Sequence, residues 1–324
     1  MRVAVVGAGI AGTACARALG AGGAEVVVLD RGRGPGGRMA SRRLHGRPVD
    51  LGASYFTVSD DGFRGVVDDW AARGLARPWT DTFRTAGPEG LGPGKQGPVR
   101  WAAPAGLRAL VEDLAGGLDV RSGRTVDSVG PGPVVDGEPY DTVVLAMPDP
   151  QALRLLAEDD PAARLLAGRD WEPSLALAVG FAARTWDLDG AFLDDAVLSW
   201  AADDGSRRGD GAPVLVAHST PGFAAEHLVD PEAATGDLVA ALRRLLDVPE
   251  PTWTHVQRWS FAKPVGTRDD AYGLVGRVGL CGDGWGASKV QAAWVSGDAL
   301  GRALLDQGPV EGPGPFDDEG PGGR

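Results

Sequence analysis

The sequence predicts an α/β protein of two lobes: a Rossmann-like nucleotide-binding domain on a parallel sheet, and an α+β domain with a mainly antiparallel sheet. Three observations carry that prediction. An apolar run, Val3 to Val6, ends in Gly7-Ala8-Gly9-Ile10-Ala11-Gly12; a helical stretch follows to Leu19, and a second apolar run, Val26 to Leu29, closes at Asp30. From Ser174 the pattern changes to long extended segments without a helix between each pair. Near the end, Val278 to Asp283 reads as a buried strand with a polar turn, and Ser288 to Leu305 as a helix, which restores the opening alternation.

The first unit is the dinucleotide fingerprint, with an acid 18 residues after the third glycine. Gly7 permits the sharp turn, Gly9 lets the backbone approach a pyrophosphate, and Gly12 lets the helix pack closely on the strand. Unpaired N–H groups at the helix start face the diphosphate, and Asp30 can accept from ribose hydroxyls. A glycine loop, Gly34-Pro35-Gly36-Gly37-Arg38-Met39, leads into a cluster of arginines at 31, 33, 38, 42, 43 and 47. Its place after the second strand suits a groove that handles phosphates.

Helix spacing runs through Phe63 to Leu75, and residues 86–98, rich in Gly and Pro, read as a surface loop. Leucines recurring from 107 to 118 predict a helix over 105–118. Short strands are expected at Thr125–Val129, Val134–Val135 and Thr142–Ala146, then a helix from Pro150 to Leu166. Extended segments follow at Leu175–Ala183, Val197–Ala201, Val214–His218 and Thr254–Phe261, with a helix, Glu232–Leu246, before the last. The nucleotide-binding domain is thus expected from 1–60, 98–155 and 272–305, and the substrate domain from 61–97 and 156–271. Residues 306–324 are expected to be a disordered tail.

A net charge of −12 argues against nucleic acid or an anionic membrane as partner. Cys15 and Cys281 are far apart with no CxxC, and the four histidines lack ligand spacing, so no disulfide framework or metal site is expected. No signal peptide or bilayer-length apolar run is read, which makes the cytoplasm the expected location.

Taken together, GAGIAG with Asp30, GPGGRMASRR, DLGASYFT, VRWAAPAGLRAL, VVLAMPDPQALRLL, VAHSTPGF, QRWSFAKP and CGDGWGASKVQAAWVSG resemble the glutathione-reductase-type FAD fold, specifically the renalase-like flavoproteins. The strings run in family order from residue 2 to about 305. The resemblance implies FAD, with Gly7, Gly9, Ile10, Ala11 and Gly12 over the pyrophosphate and Asp30 on the adenosine ribose. Arg31 would lie near the adenine, and Val126 would present its backbone to it. Gly37, Arg38 and Met39 would line the ribityl and flavin side, with Ser54 and Tyr55 by the isoalloxazine. Gly282 and Asp283 would reach the ribityl and diphosphate, and Gln291, on the helix start at 288–294, the pyrimidine edge. Two departures stand out: CGDGW where bacterial relatives often read CGDWC, and Gln291 where an acid is common.

Renalase-like enzymes oxidise the 2- and 6-dihydro isomers of NAD(P) to NAD(P)+, and dioxygen reoxidises the flavin with release of hydrogen peroxide. The resemblance therefore implies a small dinucleotide substrate and O2 as partners, for a monomer or homodimer. Such a substrate is already a hydride donor, so positioning its ring about 3–3.5 Å from flavin N5 is the main task. That fits the absence of an acid–base dyad or nucleophile pattern; no catalytic residue is singled out. Tyr55, His218, Trp259 and Trp285 are the candidate pocket residues, since aromatic faces stack on planar rings. Phe56 and the remaining tryptophans are expected in packing, His218 reads more readily as structural than as a substrate contact, and Lys263 precedes a proline in an expected loop. Two alternatives stay open: a flavin amine oxidase or desaturase on a small organic substrate, and a flavin-binding protein without turnover.

Overall fold

The computed structural model describes residues 1–307. A six-stranded sheet runs in the order Gly273–Val275, Val278–Leu280, Thr142–Leu145, Arg2–Val6, Glu25–Asp30, Asp119–Ser122, parallel except at its Gly273–Val275 edge. Val3, Val5, Val28, Val143 and Val144 are fully buried, as strands covered on both faces must be. On one face lie helices Ile10–Ala21 and Val290–Asp306. Gly297 lets them approach: a Cβ there would sit 2.0 Å from the Ala11 carbonyl oxygen. The other face packs Val126, Tyr140, Leu166 and Trp285.

The second sheet orders Trp253–Pro264, Trp171–Gly180, Val214–Ser219, Leu198–Asp203, Gly190–Leu193, Arg77–Gly87 and Gly90–Leu91, with Lys95–Ala102 also pairing to Arg77–Gly87. It is antiparallel except where Gly190–Leu193 runs parallel to Arg77–Gly87. One face buries Leu175, Leu177, Leu198 and Leu215 under helix Thr235–Leu246. The opposite face packs Ala176, Ala178, Val214 and Val216 on Val49 and Leu51.

Several local expectations are corrected. Residues 86–98 belong to a hairpin, Arg77–Gly87 with Lys95–Ala102, whose register shifts absorb the glycines and prolines. The strand expected at Thr125–Val129 is irregular backbone ending in Val129–Gly130, while Asp119–Ser122, just beyond the helix expected over 105–118, is a strand; that helix spans Leu107–Leu114. The stretch Pro150–Leu166 forms two short helices, Asp149–Ala152 and Pro161–Leu166, because Pro161 lacks the N–H that a continuous helix needs. Helix Asp61–Ala72, expected with the substrate domain, buries Phe63, Val67 and Trp70 in the cluster that holds Ile10 and Trp294. The last helix runs to Asp306, into the expected tail; the rest of that tail, from 308, lies outside the described residues.

Residues 50–55 bridge the two sheets. The N–H groups of Leu51 and Ala53 donate to the carbonyls of Ala40 and Arg38 at 3.4 and 2.9 Å. On the other side, Trp259 Nε1 donates to the Leu51 carbonyl at 2.8 Å, and Arg207 donates to those of Ser54 and Asp50 at 2.9 and 3.3 Å. Gly52 is required between them, since a Cβ would lie 1.9 Å from the Arg38 carbonyl oxygen. Gly52→Ala is therefore expected to cost more than about 2 kcal/mol in chemical denaturation. Gly20→Ala, which meets nothing within 4 Å, is the control and should be neutral or stabilising. Equal midpoints for the two variants would contradict this account of the bridge.

Candidate active site

Three remote segments meet at the start of helix Ile10–Ala21. Gly7 has φ 110° and its Cβ position lies 2.6 Å from the Ala146 carbonyl oxygen; that of Gly12 lies 1.9 Å from the carbonyl oxygen of Gly7. Gly9 caps the helix without a side-chain bond, so the first N–H groups face outward. A Cβ on Gly37, which has φ 54°, would lie 3.1 Å from Gly9 Cα, and Gly36 N–H donates to the Ala8 carbonyl at 2.9 Å. The fingerprint turn and the second glycine loop are thus in backbone contact.

From that loop Arg38 reaches Asp283, 245 residues on, with two bonds of 2.5 and 3.0 Å. Ser288 Oγ donates to the same carboxylate at 2.9 Å, and Arg38 also donates to the Ala262 carbonyl at 3.2 Å. Trp171 lies 5.1 Å beneath the Arg38 guanidinium. Gly282, at φ 146°, donates its N–H to Ser296 Oγ at 3.0 Å. Asp30 uses its two oxygens locally, accepting from Ala8 N–H and Gly32 N–H, each at 2.6 Å, with lone pairs left for hydroxyls. Val126 is buried in the loop that joins Asp30 through the Arg124 N–H, 2.9 Å from the Asp30 carbonyl. Met39 is buried, while Arg31 is exposed.

Such a cradle suits a long ligand with a diphosphate. Open N–H groups and close glycine backbones receive an anion, and the indole N–H of Trp171 and one Nη of Arg268 are buried without partners beside it. Sequence reasoning missed Trp171 and Arg268, whose place arises only from the fold: a Cβ on Gly284 would lie 3.2 and 3.7 Å from them.

The bridge and the open sheet face enclose the adjoining site. Trp259 pairs with Ser174, and Ala176 with both Gln257 and His218, which in turn pairs with Trp200; all share one face. Trp200 Nε1 donates to Ser54 Oγ at 3.0 Å. Tyr55 joins Trp79, Phe83 and Trp200 in an aromatic cluster with centroids 5.2–6.3 Å away, so Trp79 and Trp200 belong with the pocket candidates. Burial raises the Tyr55 phenol above its ordinary value, against a smaller lowering by Arg100. Phe56 is core, as expected.

Two candidates are placed differently. Trp285, 4 % exposed, packs in the cluster of Leu145 and Leu166 with Arg268 4.3 Å over its ring, away from the sheet face; the glycine inserted before it turns it into that core. Gln291 Oε1 accepts from Ser59 and Asp60 N–H at 2.6 and 3.2 Å, fixing the start of helix Asp61–Ala72. Lys263, expected in a loop and outside the site, lies in strand Trp253–Pro264, its side chain 66 % exposed and 4.0 Å from Glu172.

Beneath the bridge lies an ionic network. Arg207, fully buried, bonds Asp204 at 2.5 Å; Arg208 meets Asp204 and Asp50 at 3.0 and 3.2 Å, and Arg47 meets Asp204 at 2.7 Å. Asp50 also accepts from the Leu107 N–H at 3.1 Å and from Ser41 Oγ. Burial, then the Arg207 charge, push the His218 imidazole down to about 4, while a backbone contact at Leu51 acts in the opposite direction.

Residues 91–299 match the family of flavin containing amine oxidoreductases, and residues 5–70 match the NAD(P)-binding Rossmann-like domain. A 57-residue stretch is 47 % identical to hydroxyneurosporene desaturase of Rubrivivax gelatinosus, covering 18 % of this chain and only 11 % of that protein. Among solved structures, a putative protoporphyrinogen oxidase of Exiguobacterium sp. 255-15 superimposes with a TM-score of 0.74 at 15 % identity, over 94 % of this chain and 98 % of that one. Cyclohexylamine oxidase of Brevibacterium oxydans gives 0.74 at 13 % identity over 94 % and 99 %. At these identities the structures establish the fold.

The depressed His218 value has a stability consequence. Below its unfolded value of 6.5, the unfolded chain takes up a proton that the folded one refuses, so stability falls as pH drops from 6.5 to about 4. The expected loss is at most about 3 kcal/mol. Denaturation midpoints of wild type and His218→Gln at about pH 7 and pH 4.5 should show that part of the loss vanish in the variant; an unchanged pH slope would refute it.

Proposed function

The chain belongs to the family of flavin containing amine oxidoreductases and its cofactor is FAD; from that premise we propose a renalase-like oxidase of 2- or 6-dihydro-NAD(P). The observation that carries this reading is the charge of the sheet face that packs under Val49 and Leu51 and reaches Ser174, His218 and Trp259. Between Ser174 and Ala178, Val214 and His218, and His255 and Trp259, the side chains on it include no acid among the described residues. Beneath the bridge Arg47, Arg207 and Arg208 are matched by Asp50, Asp204 and Asp210. An ammonium substrate would gain from a carboxylate; a neutral ring gains from the aromatic faces of Trp259 and Tyr55. Lys263, the candidate for the flavin-side lysine of amine oxidases, is on the surface.

When bound, FAD supplies a two-electron hydride acceptor that dioxygen can reoxidise, so that dihydronicotinamide, O2 and a proton give NAD(P)+ and hydrogen peroxide. The protein's part is to bind, orient and exclude water. Gly9 and Gly37 would hold the diphosphate, Asp30 the adenosine ribose, and Arg38 with Asp283 the ribityl side. Ser54 and Tyr55 would lie by the ring system, and Trp259 and His218 would face the substrate.

The relatives favour a second reading, oxidation of an amine or desaturation of an organic molecule, because they include cyclohexylamine oxidase and a desaturase. Anaerobic mixing with each dihydronicotinamide isomer, cyclohexylamine and putrescine, following flavin absorbance at about 450 nm, separates the two. Bleaching by a dihydronicotinamide alone supports the proposal; bleaching by an amine alone overturns it.

Removing the Arg38 side chain strands the Asp283 carboxylate, which is largely buried. Arg38→Ala is expected to weaken FAD binding at least about tenfold, read by titrating apoprotein with FAD and following flavin fluorescence. Affinity equal to wild type would remove this pair from the cofactor site.

A further inference from the structure

Two polar atoms on the open sheet face, Ser174 Oγ and His218 Nε2, are buried and lack any hydrogen-bond partner. They lie on neighbouring strands: Ala176 is directly opposite His218, and Ser174 is two residues from Ala176 on the same face. Diagonal neighbours of that kind sit about 7–8 Å apart, and Trp259 pairs with Ser174 from the strand on the other side. Each buried unpaired polar atom costs about 1–3 kcal/mol, so two of them side by side mark a place where a ligand completes the bonding.

The chemistry of the pair selects the ligand. Burial, then the nearby Arg207 charge, keep His218 neutral, and a neutral imidazole carries one N–H and one lone pair. With the ring proton on Nδ1, the unpartnered Nε2 is a lone-pair acceptor. The Ser174 hydroxyl can donate. A group with an N–H and a carbonyl on one carbon satisfies both atoms. A carboxylate would instead set its charge against the Nε2 lone pair, and an ammonium leaves the Ser174 donor unused.

We propose that Ser174 and His218 form a recognition site for a neutral primary carboxamide, His218 Nε2 accepting from its NH2 and Ser174 Oγ donating to its carbonyl. This rests on the dihydronicotinamide reading only for the identity of the molecule that carries the amide; the site itself follows from the two unpaired atoms.

The test has two arms. In the first, kcat/KM is measured for a dihydronicotinamide dinucleotide and for its analogue with acetyl in place of carboxamide. Ser174→Ala should lower both by about tenfold, mainly through KM, because each substrate has the carbonyl. His218→Phe should abolish the preference for carboxamide over acetyl, and Ser174→Thr, which keeps the hydroxyl, should restore the loss. In the second arm, benzamide and benzoate are titrated against the FAD-loaded protein and the flavin spectrum is followed. Benzamide should perturb it and benzoate should not, with the benzamide effect lost in Ser174→Ala. If benzamide binds while no dinucleotide is oxidised, the carboxamide site stands and the proposed substrate falls. If dinucleotides are oxidised with no carboxamide preference and Ser174→Ala changes neither arm, the site is refuted and the oxidase reading survives. FAD content of each variant, read from its visible spectrum, shows that the variants are folded.

Discussion

Everything in this molecule turns on a short stretch of backbone, residues 50–55, whose two hydrogen-bonding edges are divided between the lobes. Its N–H groups go to the loop of Arg38 and Ala40, its carbonyls to Arg207 and Trp259 of the second lobe. A backbone that donates to one side from Leu51 and Ala53 and accepts on the other at Asp50, Leu51 and Ser54 fixes the distance between the two partners. Gly52 removes the one atom that would hold them apart. The cofactor loop and the substrate sheet therefore have a set separation before any ligand arrives, which is the condition for positioning to replace acid–base chemistry.

The ionic network beneath this stretch fits the same logic. Buried ion pairs contribute little net stability compared with apolar packing, yet Asp50, Asp204, Arg207 and Arg208 are almost wholly enclosed. What they provide is geometry. Asp50 holds the start of helix Leu107–Leu114, Asp204 gathers three guanidiniums, and Arg207 carries that arrangement to the carbonyls of Asp50 and Ser54. Arg47, Arg207 and Arg208 are matched by Asp50, Asp204 and Asp210, so the network carries no net charge, although Arg207 still acts on the adjoining face. The low proton affinity of His218 follows from the same closeness of Arg207 and from burial.

The nucleotide lobe was legible because its chemistry is local. The turn Gly7 to Gly12, the acid at 30 and the glycine loop at 34–37 each depend on backbone geometry within a few residues, and close-approach glycines announce themselves by type. Period-two apolar runs located the long strands of the second lobe for the same reason. The hairpin of 77–102 was hidden because edge strands tolerate the glycines and prolines that elsewhere mark loops. Trp285 was misplaced because an aromatic residue beside a glycine turn can face either way, and only packing against Gly273 and Arg268 decides.

By itself, then, the sequence determined the parallel lobe, the convergence of its glycine loops on an extended dinucleotide ligand, and a mainly antiparallel partner sheet, since those follow from short-range periodicity and from what glycine alone can adopt. Tertiary structure decided which polar atoms are left without partners. Arg38 gained a carboxylate 245 residues away, Gln291 was spent on the start of a helix, and Ser174 and His218 were left unpaired on the open face. A hydrogen-bonding deficit is a property of three-dimensional neighbours, and no spacing along the chain encodes it.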